Sequence, residues 1–121
     1  MKKILLIEDE KLLADLLQKK LVAEGYRVFV AGDGDAGIQA AKDEKPNLIL
    51  LDMLLPKKDG IGVLEGLNEM GLLSEIPVIV ISNSGQPVEI ERAKELGVKD
   101  WLIKVEFDPN EVIDKVKQHI S

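Results

Sequence analysis

Residues 48–55 read Leu48-Ile49-Leu50-Leu51-Asp52-Met53-Leu54-Leu55, an apolar run that stops on one carboxylate before the turn-forming Pro56-Lys57-Lys58-Asp59-Gly60. A short, continuous apolar run bounded by turn residues is the pattern of a strand buried on both faces. Outward from it, three more runs end in the same way: residues 4–7 on Glu8-Asp9, residues 78–81 on Ser82, and residues 101–103 on Lys104. Residues 28–31 supply a fifth run. If these are strands of one parallel sheet, the four landmarks share its carboxyl edge, where ligands bind in open α/β sheets. Three carboxylates, a hydroxyl and an ammonium would then line one pocket.

Helical patterns separate the runs. Leu12, Leu13, Leu16, Leu17 and Leu21 recur at the spacing of one helix face, and Gly25 suits the end of that helix. A shorter helix fits Ala36-Gly37-Ile38 through Ala41 and closes before Pro46. Ile61, Leu64, Leu67 and Met70 mark a third, which Gly62 and Gly66 weaken. Residues 88–96 read as a charged, largely solvated fourth helix closed by Gly97. The last has Asp108 as its cap, Pro109 at its first position, Glu111 in a variant capping box, and Val112, Ile113, Val116 and Ile120 as its buried stripe. Strand and helix alternating five times predict a doubly wound α/β fold, a five-stranded parallel sheet with helices on both faces.

The chain has 121 residues, which suits one domain over 1–121 and leaves no room for a second. Its net charge of −6 disfavours nucleic acid and anionic membranes as direct partners. Cysteine is absent, so disulfides, thiolate metal sites and cysteine nucleophiles are excluded together. The apolar run after Met1-Lys2-Lys3 ends at Glu8, too short for a signal peptide or a membrane span, and a cytoplasmic location is the expectation.

Carboxylates brought together repel one another unless a cation or a hydrogen-bond network compensates. Oxygen ligands with no His or Cys suit a hard ion, and a few carboxylates with retained waters suit Mg²⁺ or Mn²⁺. A carboxylate can also attack phosphorus to give an aspartyl phosphate, with a metal, Lys104 and Ser82 holding the phosphoryl oxygens. Each landmark also has an ordinary reading. Glu8-Asp9-Glu10 alone would be a solvated helix start, Asp52 a turn residue, and Lys104 a surface lysine. Their joint placement is what argues for a site.

IEDE at residues 7–10, LLDMLLPKKDG at 50–60, VIVISNSG at 78–85 and WLIK at 101–104 resemble, in this order, the receiver domain of bacterial response regulators. The resemblance spans the whole chain and implies a flavodoxin-like strand order 2-1-3-4-5. It implies Asp52 as the acceptor of a phosphoryl group from a histidine kinase or phosphotransfer protein. Glu8 and Asp9 would support Mg²⁺, with Asp9 and Asp52 as ligands and the backbone carbonyl of Met53 as a further one. Ser82 and Lys104 match the hydroxyl and lysine that bind the phosphoryl oxygens, Trp101 stands at the aromatic switch position, and Pro56 and Gly60 match the loop after the acceptor. The expected activity is that of a switch which changes its affinity for a downstream target protein, with no turnover of an external substrate. A stand-alone receiver without an output domain is expected, the alternative being a receiver-like scaffold that acts without phosphorylation.

Four positions depart from the family pattern. Val105 follows Lys104 where the family usually has a proline in a cis peptide, and a cis bond without proline costs about 3 kcal/mol. Trp101 is larger than the usual Tyr or Phe, Asn83 replaces a small residue, and Leu54 puts an apolar group two residues beyond the acceptor. Leu54 and Asn83 are expected to affect the lifetime of the phosphoryl group. Leu54 also stands where aspartyl-phosphate phosphatases commonly carry a second Asp as general acid, which argues against that class. A flavin binder of the same topology is disfavoured because Glu8, Asp9 and Glu10 would repel a phosphate at the first loop. His119, near the chain end, reads as a surface residue favourable at a helix C-terminus.

Overall fold

Continuous apolar runs have to be divided between two faces, because successive side chains of a strand point to opposite sides. In the computed structural model, Ile4, Leu6, Leu48 and Leu50 enter one hydrophobic cluster. Leu5, Ile7, Ile49 and Leu51 enter another on the opposite face. All eight are fully buried. The structure describes residues 1–53, 55, 59–82, 87–98, 100–103 and 108–120, with the side chains of residues 82, 87–90 and 103 left aside.

The elements run β1 (Lys3–Ile7), α1 (Lys11–Ala23), β2 (Arg27–Ala31), α2 (Gly34–Glu44), β3 (Leu48–Asp52), α3 (Gly60–Glu69), β4 (Val78–Ser82), α4 (Pro87–Glu95), β5 (Asp100–Ile103) and α5 (Pro109–Ile120). All strand pairs are parallel, and the order across the sheet is β2-β1-β3-β4-β5. Both the doubly wound class and the 2-1-3-4-5 order are therefore as expected. The α1 residues Ala14, Leu17 and Leu21 and the α5 residues Val112, Ile113, Val116 and Ile120 cover one face. Ala41 of α2, Val63, Leu64 and Leu67 of α3 and Ala93 of α4 cover the other.

Four details differ from the sequence reading. Leu12 and Leu16 do not belong to the buried face of α1: they are 86% and 41% exposed. The buried arc is centred on Ala14, Leu17 and Leu21, and at about 100° per residue Leu16 lies a quarter turn away from Leu17. Met70 caps α3 at its C-terminus and is exposed, because the chain turns away at Gly71 with φ of 73°. β2 is a sheet edge and is only partly covered, with Arg27 and Val30 facing solvent. α2 is also longer than expected, because Asp33 starts it by accepting a hydrogen bond from the Ala36 N–H at 2.8 Å. Its C-terminal neighbour Lys45 adopts φ of 45° just before Pro46.

The register sets the positions of the strand ends. Ile7 lies between Ala31 and Leu51, Asp52 pairs with Ile81, and Ser82 pairs with Ile103. Because β1 leads outward to β2 while β3 lies on its other side, strand order reverses between β1 and β3. Such a reversal opens a crevice at the carboxyl ends of the two strands.

Candidate functional site at the carboxyl edge of the sheet

Glu8 and Asp9 follow the last residue of β1, and Asp52 is the last residue of β3. A carboxylate oxygen from each lies within 4.8 Å of the others. Asp52 is fully buried and Glu8 nearly so, while Asp9 is exposed. The cluster therefore has two carboxylates shut away from solvent and one facing it. Three carboxylates this close are destabilising as a bare set, and a small hard cation is the partner their chemistry fits.

Met53 follows directly. Its N–H donates to the Ile81 carbonyl at 3.0 Å, extending the pairing of β3 with β4, and its own carbonyl accepts from the Gly60 N–H at 3.1 Å. A carbonyl has two lone pairs, so this bond leaves Met53 O one for another ligand. The chain enters α3 at Asp59, whose carboxylate accepts from the Gly62 N–H at 2.9 Å.

Ser82 ends β4 beside Ile103, on the same edge of the sheet as Asp52. Lys104, Pro56, Leu54, Asn83 and the Lys104-Val105 peptide lie outside the described residues.

Trp101 is half-buried in β5 and packs on the cluster that contains Val80 and Ala93. The Lys94 ammonium of α4 sits 4.7 Å from its ring centroid, within cation–π range. The residue before it was not singled out in the sequence. Asp100 accepts from the Lys115 ammonium at 2.6 Å and from the Trp101 N–H at 2.9 Å, and its other oxygen is 3.1 Å from His119 Nε2. Burial acts to raise the Asp100 pKa, but hydrogen bonds from Lys115 and His119 and the Lys115 charge together outweigh it and hold the carboxyl below its ordinary range. His119 is thus anchored to β5 as well as placed at the end of α5. No local pattern could have indicated this, since the partners are 19 residues apart.

A separate cleft of about 430 Å³ lies at the amino end of β4, among Leu73, Ile76, Pro77, Leu96, Val98 and His119. It is at the opposite end of the sheet from the acidic cluster. Among the described residues, no helix is long and apolar enough to cross a membrane.

A family model of the response regulator receiver domain matches residues 4–117. The chain belongs to the response regulator receiver family. This receiver is 39% identical over 116 residues to the alkaline phosphatase synthesis transcriptional regulatory protein PhoP of Bacillus subtilis (strain 168), a match over 96% of this chain and 47% of that protein. It thus spans about half the length of that relative. Among solved structures it resembles the signal receiver domain of a LuxO repressor protein from Vibrio parahaemolyticus, with a TM-score of 0.88, 29% identity, and coverage of 98% of this chain and 88% of the other. It also resembles the receiver domain of the sensor histidine kinase PA1611 from Pseudomonas aeruginosa PAO1, with a TM-score of 0.87, 25% identity, and coverage of 98% and 97%. That receiver was solved with a magnesium ion coordinated in its active-site cleft. Receivers of this family are phosphoryl-accepting switches, and the acidic cluster of Glu8, Asp9 and Asp52 occupies the crevice at which such a fold binds its ligands.

Proposed function

We propose that this receiver takes a phosphoryl group onto Asp52 from the phosphohistidine of a histidine kinase or phosphotransfer protein, in a Mg²⁺-dependent reaction, and thereby changes its affinity for a downstream protein. The observation that carries this reading is the convergence of Glu8, Asp9 and Asp52 within 4.8 Å at the β1/β3 crevice. In the transfer, an Asp52 oxygen attacks phosphorus, the P–N bond of the donor breaks as the new P–O bond forms, and the donor imidazole leaves with the electron pair. Bound Mg²⁺, or Mn²⁺, would neutralise the phosphoryl oxygens and so remove the repulsion between the incoming group and the carboxylates.

The remaining steps fall to the chain itself. Asp9 and Asp52 offer carboxylate oxygens to the cation, Met53 offers its carbonyl, and Glu8 adds negative charge from the buried side. The burial of Asp52 restricts the approach of water to the acyl phosphate. Lys104 and Ser82 are assigned to the phosphoryl oxygens that the cation does not contact, and Trp101 is assigned to carry the change to the surface near α4. The sequence difference at Leu54 argues against turnover of external phosphoesters, so the reaction is with the chain's own Asp52.

Intact mass after incubation with acetyl phosphate, with and without Mg²⁺, tests the reading on wild type and Asp52→Asn. The expected outcome is a Mg²⁺-dependent gain of one phosphoryl group in wild type and none in the variant. Failure of wild type to gain mass from either acetyl phosphate or a phosphorylated histidine kinase would support a scaffold that works without phosphorylation.

A further inference from the structure

Gly60 begins α3, is buried, and lies against the residue that follows the acceptor. A Cβ at position 60 would run into the Met53 sulfur and come within 2.6 Å of the Met53 Cα. The sulfur is the end of a flexible side chain and could swing aside. The Cα cannot move alone, because Met53 is held by its N–H on the Ile81 carbonyl and by its carbonyl on the Gly60 N–H. Any shift of residue 53 also moves the adjoining Asp52.

We propose that Gly60 is a positioning residue for the cation site: its missing side chain lets α3 seat the Met53 backbone where the carbonyl and the Asp52 carboxylate can face one ion. This rests on the reading that the acidic cluster holds a divalent cation. The closeness is needed for the site rather than for helix packing in general, and Gly66 in the same helix supplies the contrast. A Cβ on Gly66 would meet only the Ile38 side chain of α2, its Cδ1 at 2.8 Å and its Cγ1 at 3.6 Å, and no backbone atom of another element.

The test is the Mg²⁺ dissociation constant, measured by calorimetric titration without any phosphoryl donor, together with the unfolding temperature of the metal-free protein. Gly60→Ala is expected to weaken Mg²⁺ binding by about tenfold or more, the scale seen when groups that orient metal ligands are disturbed. Met53→Ala, which keeps the carbonyl but empties buried space beside it, is titrated as the baseline for the double variant below. Gly66→Ala should leave the affinity unchanged, because the Ile38 tip can move aside while the helix gains propensity. Wild-type affinity in folded Gly60→Ala would overturn the inference, and so would an equal loss in Gly66→Ala, which would mark a general softening of α3. If Gly60→Ala does not fold, the Gly60→Ala/Met53→Ala pair removes the sulfur contact, retains the collision with the backbone, and is read by the same criteria. A wild-type protein that takes up no Mg²⁺ would sink the cation reading itself, and this shows in the first titration, before any variant is compared.

Discussion

Asp100 ties the start of β5 to the last two turns of α5 through Lys115 and His119. Its carboxyl is held below its ordinary range: burial opposes the charge, but the hydrogen bonds and the Lys115 charge prevail. A carboxylate whose pKa is lower folded than unfolded stabilises the fold at pH values above the unfolded pKa, about 3.9 for Asp. That contribution fades as pH falls through the lowered folded value. Asp100→Asn should therefore unfold at lower urea concentration than wild type at pH 7, with the gap closing below about pH 4. A gap that stays constant down to pH 2.5 would remove the ionic interpretation. At this scale the sequence was informative about residue type and poor about partners. His119 was legible as a helix C-terminal residue, and Lys94 only as part of a charged segment, because the stacking of Lys94 on Trp101 depends on how α4 lies against β5.

At the scale of elements, local signals succeeded where both geometry and chemistry are short-range. The cap at Asp108 is an example, its carboxylate accepting from the Asn110 N–H at 2.8 Å. The start of α2 shows a cap that the apolar pattern hid: Asp33 satisfies the Ala36 N–H, although the first apolar residues of the segment come later. Asp33→Ala should cost about 1 kcal/mol in denaturant unfolding, and Asp33→Asn or Asp33→Ser should recover most of it. An Ala variant as stable as wild type would show that the cap contributes nothing. The leucines of α1 teach the opposite lesson. Five of them share an apparent face, yet Leu12 and Leu16 point to solvent, because rotation about the helix axis is set by what the sheet and α5 leave to be covered.

For the molecule as a whole, the proposed cation site would couple stability to cation binding. Asp52 at the end of β3 is brought against the adjacent Glu8 and Asp9 after β1 only when the sheet forms, so folding concentrates negative charge that the unfolded chain spreads further apart. An ion that binds only the folded state stabilises it by about 2.7 kcal/mol at one hundred times its dissociation constant. Wild type should therefore melt several degrees higher with saturating Mg²⁺ than without. Asp52→Asn should melt above metal-free wild type, since one charge of the cluster is gone, and should lose most of the Mg²⁺ shift. Identical melting of wild type with and without Mg²⁺ would contradict the coupling.

The alternation of strands and helices, the parallel sheet and the placement of Glu8, Asp9, Asp52 and Ser82 at strand ends were all determined by the sequence alone. Apolar runs and turn residues act over a few neighbours, and the direction of a parallel strand then decides which edge its last residue reaches. Tertiary structure alone decided that the three carboxylates lie within 4.8 Å, that Gly60 admits no side chain against Met53, and that Leu12 and Leu16 stay in water. These are distances and exposures set by strand register and close packing between segments far apart in the chain, and a change of a few tenths of an ångström there alters which side chains fit.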